Sequence, residues 1–134
     1  MSRATARNLK SAAAATIILP KLAKGERYAG ILLDEKGAPG HHLVLLPGTS
    51  EKDLNWEDAK AWAKKQVGEL PTRREQSLLM ANAKQHIEGR WHWSSEQNAG
   101  VSAYAWCQSF DDGSQSSFLK DSKLRARAVR RVPI

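Results

Sequence analysis

At 134 residues, with 41% hydrophobic and 26% charged residues, the chain has the makeup of one soluble globular domain large enough for its own core. The single cysteine, Cys107, excludes an internal disulfide and any cysteine-based zinc cluster. No apolar run approaches the ~20 residues needed to cross a bilayer.

The net charge of +7 is concentrated at the two ends. Residues 1–24 carry Arg3, Arg7, Lys10, Lys21 and Lys24 with no acid. Residues 120–134 carry Lys120, Lys123, Arg125, Arg127, Arg130 and Arg131 against Asp121, which leaves the middle mildly acidic. Such asymmetry suits a polyanionic partner, and it equally suits a well-solvated surface.

Residues 1–25 read as a basic arm, with weak helical character from Leu9 to Ala15 and an end marked by Pro20 and Gly25. The apolar run Ile17-Ile18-Leu19 is too short, and too poorly followed, for a cleaved signal. A domain is expected over 26–134. Tyr28–Leu33 and His41–Leu46 read as two strands around a polar Gly/Pro loop. The pair His41-His42 points to opposite faces of a strand, which favours structural roles over shared metal ligation.

After a loop at 47–53, Asn55 is placed to cap a helix carrying Trp56, Ala59, Trp62, Ala63 and Val67 inward, with Gly68 as its stop. Thr72 and Glu75 form a capping box after Pro71, and a second helix runs through Leu78, Leu79 and Ala83, fraying over His86–Gly89. Beyond Gly89 the period changes to that of strands. Trp91 and Trp93 share a face opposite His92. Residues 104–110 alternate, Asp111–Ser114 is a hairpin turn, and Ser116–Lys120 is the return strand. Trp91, Trp93 and Trp106 are expected in the core, and Cys107 reads as a small apolar strand residue. A final strand from Leu124 alternates Leu124, Ala126 and Ala128 with Arg125 and Arg127. Its arginines either line a basic face or tuck under the loops as ion pairs.

The stretches Gly68–Glu75, Trp91–Ser95, Ala103–Trp106, Phe110–Gly113 and Leu124–Val132 together resemble an uncharacterised bacterial and phage family. The same family supplies the C-terminal domain of a bacterial collagen-like adhesin. The resemblance covers residues 26–132. It implies an α+β, C-type-lectin-like fold in which two helices flank a small twisted antiparallel sheet with long loops. Short members of this kind look like phage or prophage products. The calcium-site signatures of sugar-binding lectins are missing: Glu96-Gln97-Asn98 lacks the proline, and no Trp-Asn-Asp occurs. The paired cysteines of the formylglycine-generating enzymes, which share the broad fold, are missing too.

No nucleophile elbow or His-acid constellation stands out, so no catalytic residue, metal ligand or cofactor is assigned. The expectation is a non-enzymatic recognition module for a macromolecular partner, protein or glycan, acting in a host cytoplasm or a virion. The expected contacts are Glu96, Gln97, Asn98 and Ser102 in one connection, with Ser114, Gln115 and Ser117 on the adjoining hairpin. Two alternatives stand beside it. In one, Arg125, Arg127, Arg130 and Arg131 bind a polyanion, either nucleic acid or a sulphated glycan. In the other, the chain modulates a host protein inside the cell.

Overall fold

The computed structural model describes residues 16–134. The expected helical character at Leu9–Ala15 lies outside the described residues. The architecture is α+β, with six strands, two helices and a short 3-10 turn: β1 (Arg27–Leu33), β2 (Pro39–Leu45), α1 (Trp56–Lys65), α2 (Arg73–Asn82), the turn Lys84–His86, β3 (Trp91–Gln97), β4 (Tyr104–Ser109), β5 (Gln115–Leu119) and β6 (Val129–Pro133). The strands form two antiparallel sheets of three, ordered β1-β2-β6 and β3-β4-β5, where one small sheet was expected.

Local chemistry sets the elements. Asp34 Oδ1 accepts from the N–H groups of Lys36 and Ala38, closing the β1–β2 turn. Asn55 Oδ1 accepts from Asp58 N–H at 2.9 Å, and the acids Glu57 and Asp58 precede Lys64 and Lys65 along α1, in accord with its dipole. The capping box of α2 is complete: Thr72 Oγ1 accepts from Glu75 N–H, and Glu75 Oε1 accepts from Thr72 N–H.

The exit from α1 differs from expectation. Val67, not Gly68, takes the left-handed conformation, at φ 60. Gly68 is needed for a different reason: a Cβ there would lie 2.6 Å from both the Val129 carbonyl oxygen and Leu46 Cδ1. The final strand also starts later than its alternation suggested. Leu124 and Arg125 make isolated bridges to Leu54 and His92, and the ladder with β2 begins at Val129.

The core consists of two apolar clusters. One joins Trp56, Ala59 and Ala63 of α1 to Trp93, Ala105, Cys107, Ala126 and Ala128. The other joins Leu79 of α2 to Ala29, Leu43, Leu45, Phe110 and Val129. In β4 the small residues Ala105 and Cys107 face the core because the indoles of Trp93 and Trp56 already fill it. Tyr104 and Trp106 are therefore left half-buried, which corrects the placing of Trp106 in the core.

Candidate functional site

The N-terminus of α2 is held by a buried charge. Glu75 has no exposed side-chain surface, yet its carboxylate accepts from Arg131 Nε and Nη2, both at 2.7 Å, and contacts His41 Nε2 at 2.8 Å. Burial acts to raise its pKa, but the bonds from Arg131, Thr72 N–H and His41 outweigh burial and hold the carboxyl below its usual range. Arg131 also bridges to Glu69 at 3.1 Å.

With α2 fixed in this way, Arg73 and Arg74 project from its first turn into an open cleft of about 500 Å³, lined also by Leu32, Thr72, Ser77, Glu96 and Gln115. The Arg73 guanidinium lies 3.5 Å from the Trp106 ring centroid, and its Nε donates to Gln115 Oε1 at 3.1 Å. Its backbone N–H donates to Glu96 Oε2 at 2.6 Å. Gln115 Nε2 donates to Arg73 C=O and Gln108 Oε1, Gln108 Nε2 to Gln76 C=O, and Gln76 Nε2 to His92 C=O. A relay of amides therefore ties the cleft to the core and fixes its geometry.

The expected contact residues divide between this cleft and the loop above it. Glu96 and Gln115 line the cleft. Asn98 organises the loop, accepting from Gly100 and Val101 N–H and donating to Ser117 Oγ at 3.1 Å. Gln97 Oε1 accepts from Lys120 Nζ. Ser102 and Ser114 are exposed, and Ser114 N–H donates to Asp112 at the hairpin turn. Sequence reasoning missed Arg73, Arg74 and Trp106 as site residues. For the two arginines a signal was available: two cations in a first helical turn oppose the helix dipole, a local conflict of the kind found at functional surfaces.

The four C-terminal arginines are engaged internally. Arg125 pairs with Asp53 at 3.1 Å and donates to Ser50 C=O, while Arg127 is buried and donates to His86 and Leu46 carbonyls. Arg130 forks onto both oxygens of Glu26, and Arg131 holds Glu75 as described. Arg125, Arg130 and Arg131 take the ion-paired arrangement, and Arg127 is held by backbone carbonyls alone.

The histidines take separate roles. His42 Nδ1 lies 2.7 Å from the Tyr28 hydroxyl, while His41 faces Glu75. His92 is buried with its Nδ1 on Arg90 C=O, and burial pushes its pKa down to about 4. Ser94 Oγ accepts from Glu96 N–H. Cys107 is buried, donates to Ser116 C=O at 3.2 Å, and is pushed up to about 12 by burial, so its thiolate is scarcely formed at neutral pH. Among the described residues no group of three or more His, Cys, Asp or Glu side chains could hold a metal ion. No helix of the described residues is long and apolar enough to cross a membrane.

No protein-family model matches the chain, and no curated protein matches it in sequence.

Proposed function

We propose that the protein is a non-enzymatic recognition module of C-type-lectin-like fold that binds a macromolecular partner, protein or glycan, through the cleft and loops between α2, β4 and β5. The fold reading rests on the motif resemblance, and two features support it: β1 and β6 flank β2 in one sheet, and a second small sheet carries the loops. The phage or prophage origin rests on that resemblance alone. The observation that carries the function is the Arg73–Trp106–Gln115–Glu96 cluster, a rigid aromatic-cation platform with polar groups on its rim. The relay beneath it organises the groups before any ligand arrives, which lowers the ordering cost of binding.

The test is binding of the purified chain to peptide and glycan arrays, with Arg74→Ala and Asn98→Ala variants in parallel. Binding that both variants weaken supports the reading, and binding indifferent to both removes it. The polyanion alternative loses its strongest support, because the four arginines offered for it each have internal acceptors. Heparin or duplex DNA binding that falls steeply with salt would restore it.

A further inference from the structure

Two three-stranded sheets present four edges, and edges are where unpaired backbone groups invite another chain. Three of these edges are partly occupied by other segments of the chain. On β3, Trp93 N–H donates to Arg125 C=O, Arg125 N–H to Trp91 C=O, and Ser95 N–H to Pro71 C=O. On β6, Glu69 and Val129 exchange both their bonds, and Pro133 ends the strand without a donor. On β1, α2 side chains cap the backbone: Asn82 Nδ2 donates to Ala29 C=O at 2.6 Å and Arg74 Nη2 to Leu33 C=O at 3.1 Å.

The fourth edge, β5, is open at Gln115 and Ser117. Ser109 N–H donates to Ser114 C=O and Lys120 N–H to Ala103 C=O, which sets the phase of the β4–β5 ladder. In that phase Ser116 and Phe118 turn their backbone groups to β4, and Gln115, Ser117 and Leu119 turn theirs outward. Leu119 C=O accepts from Ser122 N–H. Among the described residues the outward backbone groups of Gln115 and Ser117 have no partner. The strand contains no charged residue and no proline, the usual devices that blunt an edge.

Its side chains also lead to the recognition cleft. Gln115, Ser117 and Leu119 lie opposite Gln108, Trp106 and Tyr104, on the face where Arg73 stacks. At one end, Leu119 and Val101 are exposed at 49% and 50%. At the other, Arg73 and Arg74 face a single carboxylate, Glu96, one oxygen of which already accepts from a backbone N–H. The edge is apolar at one end and cationic at the other.

We propose that β5 is a strand-addition site: an extended segment of a partner protein pairs antiparallel with Gln115–Leu119, with an apolar side chain on Leu119 and Val101 and, four positions later, an acidic side chain facing Arg73 and Arg74. This rests on the recognition reading above and names its partner class. Residues two apart share a face, so the two anchors stand roughly 13 Å apart in an extended strand, and backbone bonds supply affinity while the anchors supply selectivity.

The experiment is an NMR titration of the full chain with the end-blocked peptide Thr-Val-Thr-Thr-Thr-Glu-Thr. Shifts are expected to centre on the amides of Gln115, Ser117 and Leu119, with slowed exchange at Gln115 and Ser117. Ser117→Pro removes one outward donor and leaves the inward ladder of Ser116 and Phe118, so binding should weaken about tenfold or more. Arg74→Glu, at an exposed position, is a second variant, and it should prefer the peptide with lysine in place of glutamate. Shifts centred elsewhere, or binding unchanged in both variants, overturn the proposal. So do concentration-dependent shifts at these amides without peptide, which would assign the edge to a second copy of the chain. If the arrays show variant-sensitive binding but the peptide does not bind, strand addition fails and the recognition reading survives. If both are silent, both fail.

Discussion

Replacing Glu75 by Gln keeps the shape of a wholly buried side chain and deletes its charge. In the native chain the carboxylate accepts two bonds from Arg131, one from Thr72 N–H, and faces His41. A glutamine can still serve Thr72 through its oxygen, but it then turns an NH2 group toward the Arg131 guanidinium. Breaking one side of a buried ion pair costs about 3–5 kcal/mol. Arg131 retains 28% of its side-chain exposure, so water recovers part of that cost and about 2–4 kcal/mol is expected. For a chain of this size that lowers Tm by roughly 10 °C. Urea unfolding followed by tryptophan fluorescence measures it directly. The double variant Glu75→Leu with Arg131→Met replaces the pair by apolar groups and should recover most of the loss, leaving about 1 kcal/mol for the missing cap. A loss below about 1 kcal/mol in Glu75→Gln would refute the reasoning, because it would mean that the pair is solvated rather than a desolvated anchor for α2.

Trp93→Ala removes a side chain with no exposed surface and its indole bond to Leu54 C=O, and should cost about 3–5 kcal/mol by chemical denaturation. The stability of the chain should fall with acid in a particular window. The folded His92 titrates near 4 and an unfolded histidine near 6.5, so the unfolded state binds more protons between them. About 3 kcal/mol should be lost as pH falls from 6.5 to 4, and His92→Gln should flatten that slope. Glu75, held below the usual carboxylate range, adds its own loss as pH falls through and below that range. Val67→Asn should stabilise the fold by about 1 kcal/mol, since asparagine tolerates the φ of 60 and Val67, at 86% exposure, leaves no packing behind. An unchanged midpoint would mean that the turn is not strained.

Local signals carried the sequence reading wherever one or two side chains complete a structure by themselves. The caps at Asn55 and Thr72 needed only the adjacent backbone, and both stand as read. An apolar run beside a Gly/Pro loop located β1, period-two alternation located β3 and β4, and the Asp111–Ser114 turn joins β4 to β5 as expected. Boundaries slipped where a distant partner sets them. The last strand starts at Val129 because that is where β2 supplies a ladder, and no pattern within 124–128 records it.

The cleft was half legible. Glu96, Gln97, Asn98 and Gln115 belong to polar stretches that mark a surface, whereas Arg73 and Trp106 are 33 positions apart and meet only through packing. The same limit applies to the arginines of the C-terminal stretch. Their number and spacing are properties of the chain, but whether they face solvent or Asp53, Glu26 and Glu75 depends on acids 56 to 104 positions away. The sequence by itself determined the caps, the turns, the strand periods and the supply of charge, because those depend on neighbours along the chain. Tertiary structure decided which aromatics are buried, which arginines are neutralised and where a sheet edge stays open, because each depends on what the fold brings across from elsewhere.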